Sequence, residues 1–359
     1  MAASCAFRTW LLRFQSLAIF AGFCRKAQMP GIQEIATKAG VSPATVSRAL
    51  RGLQNVNEKT RKKIIEAAEV LGYPIDASSV KDGKTHTVGV ISPFTSRWYF
   101  SQAIAGAEQA LREAGLDILL YNFTQLSGRE RIFQNQSMRD RVDALIVISL
   151  PPTEEEFQAM LALDLPIALI GIHRPEVSSV TIDDVAGARN ATQHLINQGH
   201  TKIGLISGEP TSPWGFPVPS DRRDGFLAVL KENGLTFNPN HEVHADFTSH
   251  TAERAMDDLL ARPDRPTAIF CGSDEMAFGA MISLRNHGLR CPEDMSIIGF
   301  DGHDMAEFAQ LTTIAQPVHM LGEMAAWAIL EKMKKVDTPP KTLTLPTTLI
   351  VRKSTQKIN

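Results

Sequence analysis

Between residues 31 and 73, apolar side chains recur at the three-to-four-residue spacing of helices that each bury one face. Ile32, Ile35, Ala36 and Ala39 share a face, and Gly40 follows where such a helix should stop. Ser42-Pro43 reads as the cap and first residue of a second helix, with Val46, Ala49 and Leu50 turned inward and Gly52 ending it. A third helix starts near Asn57, carries Ile64, Ile65, Ala68 and Leu71, and stops at Gly72. Three short amphipathic helices, the first two joined by a tight turn, make a helix-turn-helix pattern.

Residues 74–85 are a polar connector containing Pro74, Asp76, Ser78, Ser79, Asp82 and Gly83. Beyond it the pattern changes to short apolar runs alternating with helical stretches. Thr87–Ile91, Ile118–Tyr121, Ala144–Ile148 and Ile167–Ile170 read as strands. Lys202–Ile206, Thr267–Phe270 and Ser296–Ile298 continue the series. Helices are expected over about Tyr99–Ala114 and Arg129–Arg141. Strands separated by helices imply parallel sheets covered on both faces. There are more strands than one small sheet needs. The fold expected is an N-terminal all-α head-piece followed by an α/β core of two doubly wound parallel-sheet lobes.

The bulk numbers agree with more than one domain. A chain of 359 residues exceeds what a single core usually serves. Its 43% hydrophobic and 21% charged residues are ordinary for a globular protein. A formal net charge of −2 excludes a protein coated in nucleic acid but permits a small DNA-reading module on a neutral body. Cys5, Cys24, Cys271 and Cys291 are scattered without metal-ligand spacing, which fits a reducing cytoplasm and no metal. Residues 1–28 hold Arg8, Arg13, Arg25 and Lys26, no acid, and broken apolar runs. Arg13 and Gln15 interrupt what would be the core of a signal peptide, and no small-x-small cleavage site follows. These residues are expected to be a non-native or disordered extension, with Met29 as the native start; they are too short to span a bilayer.

The run Ile32 to Leu50, reading IQEIATKAGVSPATVSRAL, resembles the head-piece of the lactose/galactose-repressor (LacI/GalR) family almost position by position. Val56 to Arg61 and Glu69 to Tyr73 are similar to that family's third helix. Ser273 to Ala280, Ile297 to Asp301, Leu311 to Ile314 and the strand ending Leu349-Ile350-Val351-Arg352 extend the likeness over about residues 30–355. The resemblance implies a transcription repressor with a periplasmic-binding-protein-like core. It would comprise a head-piece over 30–73, a hinge over 74–85 and an effector-binding core over 86–355. Lobe one is expected over about 86–184 and 317–341, lobe two over about 185–316 and 342–355. The implied partners are a palindromic double-stranded operator, a second copy of the chain and a small-molecule effector, a sugar; no membrane or cofactor is called for.

In a helix-turn-helix the second helix meets base edges. Pro43, Ala44, Ser47 and Arg48 occupy its outward face at one-turn spacing. Arg48 suits a bidentate pair with guanine, Ser47 a base or phosphate, and Ala44 a thymine methyl. Lys59, Arg61, Lys62 and Lys63 open the third helix, where they could meet phosphates with Thr60 and the helix-terminal amides, or simply solvate its face. Relatives carry a hinge helix whose leucine wedges into the minor groove. Here Ala77–Gly83 is shorter and Val80, a smaller wedge, stands at that position.

Open α/β sheets bind ligands outside the C-terminal ends of their strands. Candidate effector contacts are Phe94, Tyr99, Phe100 and Asp183 from lobe one. Arg222, Phe247, Ser273, Asp274 and Asp301 come from lobe two. Carboxylates and guanidinium groups suit paired sugar hydroxyls, and aromatic faces suit the apolar side of a ring. Phe100 has the alternative of a core position and Ser273 that of a helix cap. Asp183 has that of a contact across the lobes, and Arg222 with Asp301 that of a structural ion pair. Trp214, in the proline-rich loop Pro210–Pro219, lines the cleft or only covers it. An enzyme is disfavoured because no phosphate-cradling loop, nucleophile elbow or metal-ligand pair is present. An exported sugar-binding protein would explain the core equally well but has no use for residues 31–73.

Overall fold

Helices α1 (Ile32–Ala39), α2 (Pro43–Leu50) and α3 (Glu58–Val70) close on a small core of Ile35, Val46, Ala49, Ile64 and Ala68. Gly40 takes a left-handed conformation (φ 67°) that ends α1 as expected. Ser42 Oγ accepts from the Thr45 amide at the start of α2, and Asn57 Oδ1 accepts from the Thr60 amide at the start of α3. The structure, a computed structural model, describes residues 31–50, 56–73, 85–122, 138–210, 214–334 and 337–358. The expectations for residues 1–28, Gly52, the hinge with Val80 and most of the Arg129–Arg141 helix lie outside the described residues. Residues Met1–Thr85 and His86–Asn359 are separate compact units.

The larger unit alternates strands and helices throughout. The first lobe runs β1 (Thr87–Ser92), α4 (Trp98–Glu113), β2 (Asp117–Asn122), β3 (Ala144–Ile148), α5 (Glu154–Leu161), β4 (Ile167–Ile170) and β5 (Ser178–Ile182). The chain then crosses to α6 (Asp184–Asn197), β6 (Ile203–Gly208), α7 (Val218–Glu232), β7 (Glu242–Ala245) and α8 (Ser249–Leu260). Next come β8 (Ala268–Cys271), α9 (Asp274–Asn286), β9 (Ser296–Asp301), α10 (Met305–Phe308) and β10 (Thr312–Ala315). It returns through α11 (Val318–Lys334) to β11 (Thr342–Leu345) and ends on β12 (Thr348–Ile350).

The strands form two six-stranded sheets, ordered β11-β5-β4-β3-β1-β2 and β12-β10-β9-β8-β6-β7. The first is parallel throughout; in the second only β12 runs antiparallel, beside β10. This is the two-lobed, doubly wound core expected. One boundary moves: β11 pairs with β5, so residues 342–345 belong to the first lobe, not the second. Pro346 follows directly and has no N–H for a ladder. The chain therefore leaves the first sheet there, a few residues later than expected.

Candidate functional site

On α2, Pro43, Ala44 and Arg48 are exposed and Ser47 is half-buried, while Val46 and Ala49 seal the core beneath them. The four expected side chains thus share the outward side of one rigid helix. At the start of α3, Lys59, Lys62 and Lys63 are exposed, and Arg61 and Thr60 are half-buried. The Thr60 amide is engaged by Asn57 at 2.8 Å, so it is not available to a phosphate.

In the core, strand ends from both sheets converge on one cavity of about 840 Å³, counting its open mouth. Ser149 and Gly171 follow β3 and β4, Phe247 and Ser273 follow β7 and β8, and Asp301 ends β9. Four of these turn with positive φ: Ser149 (45°), Gly171 (73°), Phe247 (64°) and Asp301 (129°). Such backbone costs on the order of 1–3 kcal/mol at a non-glycine residue and persists only where surrounding packing enforces it. Here it turns strand ends into the cleft.

Arg222, on α7, is the hub. Its side chain is only 7% exposed, its guanidinium lies 3.6 Å over the Phe300 ring, and its Nε donates to Asp184 Oδ1 at 2.8 Å. Nη1 donates to the Gly272 carbonyl and stands 3.6 Å from Asp301 Oδ1. Gln316, on the crossing into α11, donates to the same Asp301 oxygen at 2.7 Å. Burial pushes the Asp301 carboxyl up to about 7, against the pull of Arg222. Tyr99 and Ser149 share a hydrogen bond of 2.9 Å across the cavity floor, and burial pushes the Tyr99 phenol up to about 12.

Tyr99, Phe100, Arg222, Phe247, Ser273 and Asp301 line the cavity, as expected. Ser273 also caps α9 by accepting from the Met276 amide, so the cap considered for it is made while the residue stays on the cavity wall. Three expected residues do not line it. Phe94 packs behind the wall against Phe100 and Trp214, with Arg97 over its face. Asp183 caps α6 by accepting from the Ala186 amide; its neighbour Asp184 faces the cavity instead. Asp274 is wholly buried beneath the site, accepting from Thr313 Oγ1 at 2.6 Å and the His303 amide at 2.7 Å. Trp214 covers rather than lines, stacking at 11° on Phe216, which does line.

Sequence reasoning missed Arg97, Trp98, Asp184, Phe216, Glu275 and Gln316. Arg97 and Trp98 open α4 directly after a strand-to-helix turn, the one signal that could have found them. Both also cross the cleft. Arg97 Nη1 donates to the Asp246 carbonyl at 2.9 Å, and Trp98 Nε1 donates to Asp304 Oδ2 at 3.1 Å while its ring stacks on His303. The contact across the lobes considered for Asp183 is made by these residues.

Residues 31–74 match bacterial regulatory proteins of the lacI family, and residues 192–355 match the periplasmic binding protein-like domain. Catabolite control protein A of Priestia megaterium is 33% identical over 331 residues, covering 90% of this chain and 99% of that protein. The chain belongs to the LacI family of bacterial regulatory proteins. The HTH-type transcriptional repressor CytR of Escherichia coli (strain K12) is likewise 33% identical, over 91% of this chain and 96% of the repressor. Among solved structures, the complex of the transcriptional regulator CelR with cellobiose superposes with a TM-score of 0.68 at 29% identity, over 90% of this chain and 99% of CelR. This LacI-family member is accordingly a DNA-binding transcriptional repressor. The exported-binder alternative falls with the match over residues 31–74. No described helix is long and apolar enough to cross a membrane.

Proposed function

We propose that this repressor acts in the cytoplasm as a homodimer on a palindromic operator, and that a sugar bound between its lobes controls operator affinity. The observation that carries the effector half is the Arg222, Asp184 and Asp301 cluster inside an aromatic-walled cavity. Arg222 Nη2 and the Oδ2 atoms of both aspartates make no hydrogen bond with any described residue. Two donors therefore stand beside two acceptors, the complement of adjacent hydroxyls. Phe216, Phe247 and Trp98 line the same cavity and supply apolar surface for the apolar side of a sugar ring. The cellobiose held by the similar CelR supports a saccharide.

The test combines a thermal-shift screen of mono- and disaccharides with anisotropy titrations on promoter DNA. A saccharide that binds should raise the unfolding temperature by mass action and change operator affinity. Arg222→Ala should weaken that saccharide ten- to hundredfold, on the order of 1.5–3 kcal/mol, while operator binding survives. A variant that unfolds like the parent and still responds fully to the sugar would remove Arg222 from the site.

A further inference from the structure

Glu275 is the second residue of α9, half-buried, with its side chain on the cavity. The other charged groups lining that cavity have partners. Arg222 holds Asp184 and Asp301, and Arg97 is engaged with the Asp246 carbonyl and lies 4.0 Å from its carboxylate. The Glu275 carboxylate makes no hydrogen bond or ion pair with any described residue. Glu275, Asp301 and Arg97 line the same cavity, where the Glu275 charge disfavours ionisation of Asp301 and favours the charged forms of Arg97 and His303. Arg97, His303 and Asp304 are the other charged or titratable groups around that end of the cleft, where Trp98 stacks on His303. The lining as a whole sets three carboxylates against two guanidinium groups, with Asp274 buried behind. A phosphorylated or carboxylated ligand would add negative charge beside an unpaired acid in a partly desolvated space, which is costly. Arg97 and His303 act on Glu275 only through space, and a ligand carrying a cation would supply the direct ion pair that it lacks among the described residues.

We propose that Glu275 is a specificity-determining residue and that the effector is an amino sugar, its ammonium on Glu275 and its hydroxyls on the Arg222–Asp301–Asp184 cluster. The proposal rests on the sugar reading above and adds the charge of the ligand. Calorimetry on the full chain tests it with glucose, galactose and mannose, each as parent, 2-amino, N-acetyl and 6-phosphate form. The amino form of one series should bind ten- to hundredfold tighter than its parent, the gain of a charge-assisted hydrogen bond. N-acetylation should remove the gain, and the 6-phosphate should bind more weakly than the parent. In Glu275→Gln the ratio of amino-form to parent affinity should fall to about one, while Glu275→Asp keeps part of it. That ratio does not move if Glu275 only favours the start of α9 through the helix dipole. Equal affinity for amino and parent forms overturns the role of Glu275 and leaves the sugar reading standing, as does a preference that survives in Glu275→Gln or a preferred phosphate. If no form of any series binds, the amino-sugar assignment falls, and the sugar reading falls with it only if the screen of mono- and disaccharides above also finds no ligand.

Discussion

Asp301 ends β9 with a positive φ and a carboxyl that burial raises from 3.8 to about 7, while Arg222 pulls it the other way. The folded core therefore holds this proton more tightly than the unfolded chain does. Relative to a neutral side chain, Asp301 costs nothing below about pH 4 and costs progressively more as pH rises through about 7. Asp301→Asn should accordingly raise the unfolding temperature most above pH 7, with a gain that shrinks as pH falls towards 4. Thermal unfolding of both proteins across that range checks the sign; a gain independent of pH would show that the ionised form carries no such penalty. The head-piece makes a second residue-scale contrast. Arg48 is exposed on the reading side of α2, and Lys59 is exposed in the first turn of α3. Arg48→Ala should lose about 1–3 kcal/mol on operator and much less on random DNA, because base pairing by its fork carries discrimination. Lys59→Ala should weaken both alike and flatten the dependence on salt. Anisotropy titrations on the two DNAs over a salt series separate the roles, and equal losses on both for Arg48→Ala would contradict its placement.

Elements α4 and α11 pack across one another at two glycines. A Cβ at Gly106 would stand 1.9 Å from the His319 carbonyl oxygen, and one at Gly322 would stand 2.0 Å from that of Ala103. Those neighbours are backbone and cannot rotate away, so the helices must part to admit a methyl group. Gly322→Ala should cost about 1–3 kcal/mol or more, seen as a lower urea midpoint with an unchanged slope. A midpoint equal to the parent's would mean that the crossing relaxes without penalty. Neither glycine stood out in the sequence, because close approach depends on the partner helix and leaves no local pattern. What was legible follows the same logic. Ala144–Ile148 and Ile167–Ile170 could be read to the residue because central parallel strands, covered on both faces, are continuous apolar runs. Ser178–Ile182, Glu242–Ala245 and Thr342–Leu345, though no shorter, escaped because they carry polar residues and lie at or near a sheet edge. At the site, Arg222 and Asp301 were legible from resemblance, whereas the phase between Asp183 and Asp184 was not. Either could cap α6, and only the helix start decides which one faces the cavity.

At the scale of the whole molecule, the lobes are joined where the chain crosses at 182–184, 315–318 and 345–348, and they meet again through Arg97–Asp246 and Trp98–Asp304. A ligand between them can bias their arrangement only as far as it binds one arrangement better than another, which is the free energy available for control of DNA binding. That free energy becomes a regulatory signal only if the DNA-bound state depends on the core. In the proposed homodimer a second copy would supply the dependence. One three-helix head-piece reads only a few base pairs, too few to mark one site in a genome, so two must be presented at a fixed separation. Two copies related by a two-fold axis present two identical α2 helices in opposite directions, which requires a palindrome with half-sites about one helical turn apart or a multiple of it. Sedimentation of the protein on its operator should therefore give two chains per site, and footprinting should show symmetric protection of both half-sites. Changing the spacing by about five base pairs turns one half-site to the opposite face of the duplex and should abolish specific binding, while a full-turn insertion costs less. A single chain protecting one asymmetric half-site, with affinity indifferent to spacing, would refute the dimer and leave lobe closure without a route to the DNA.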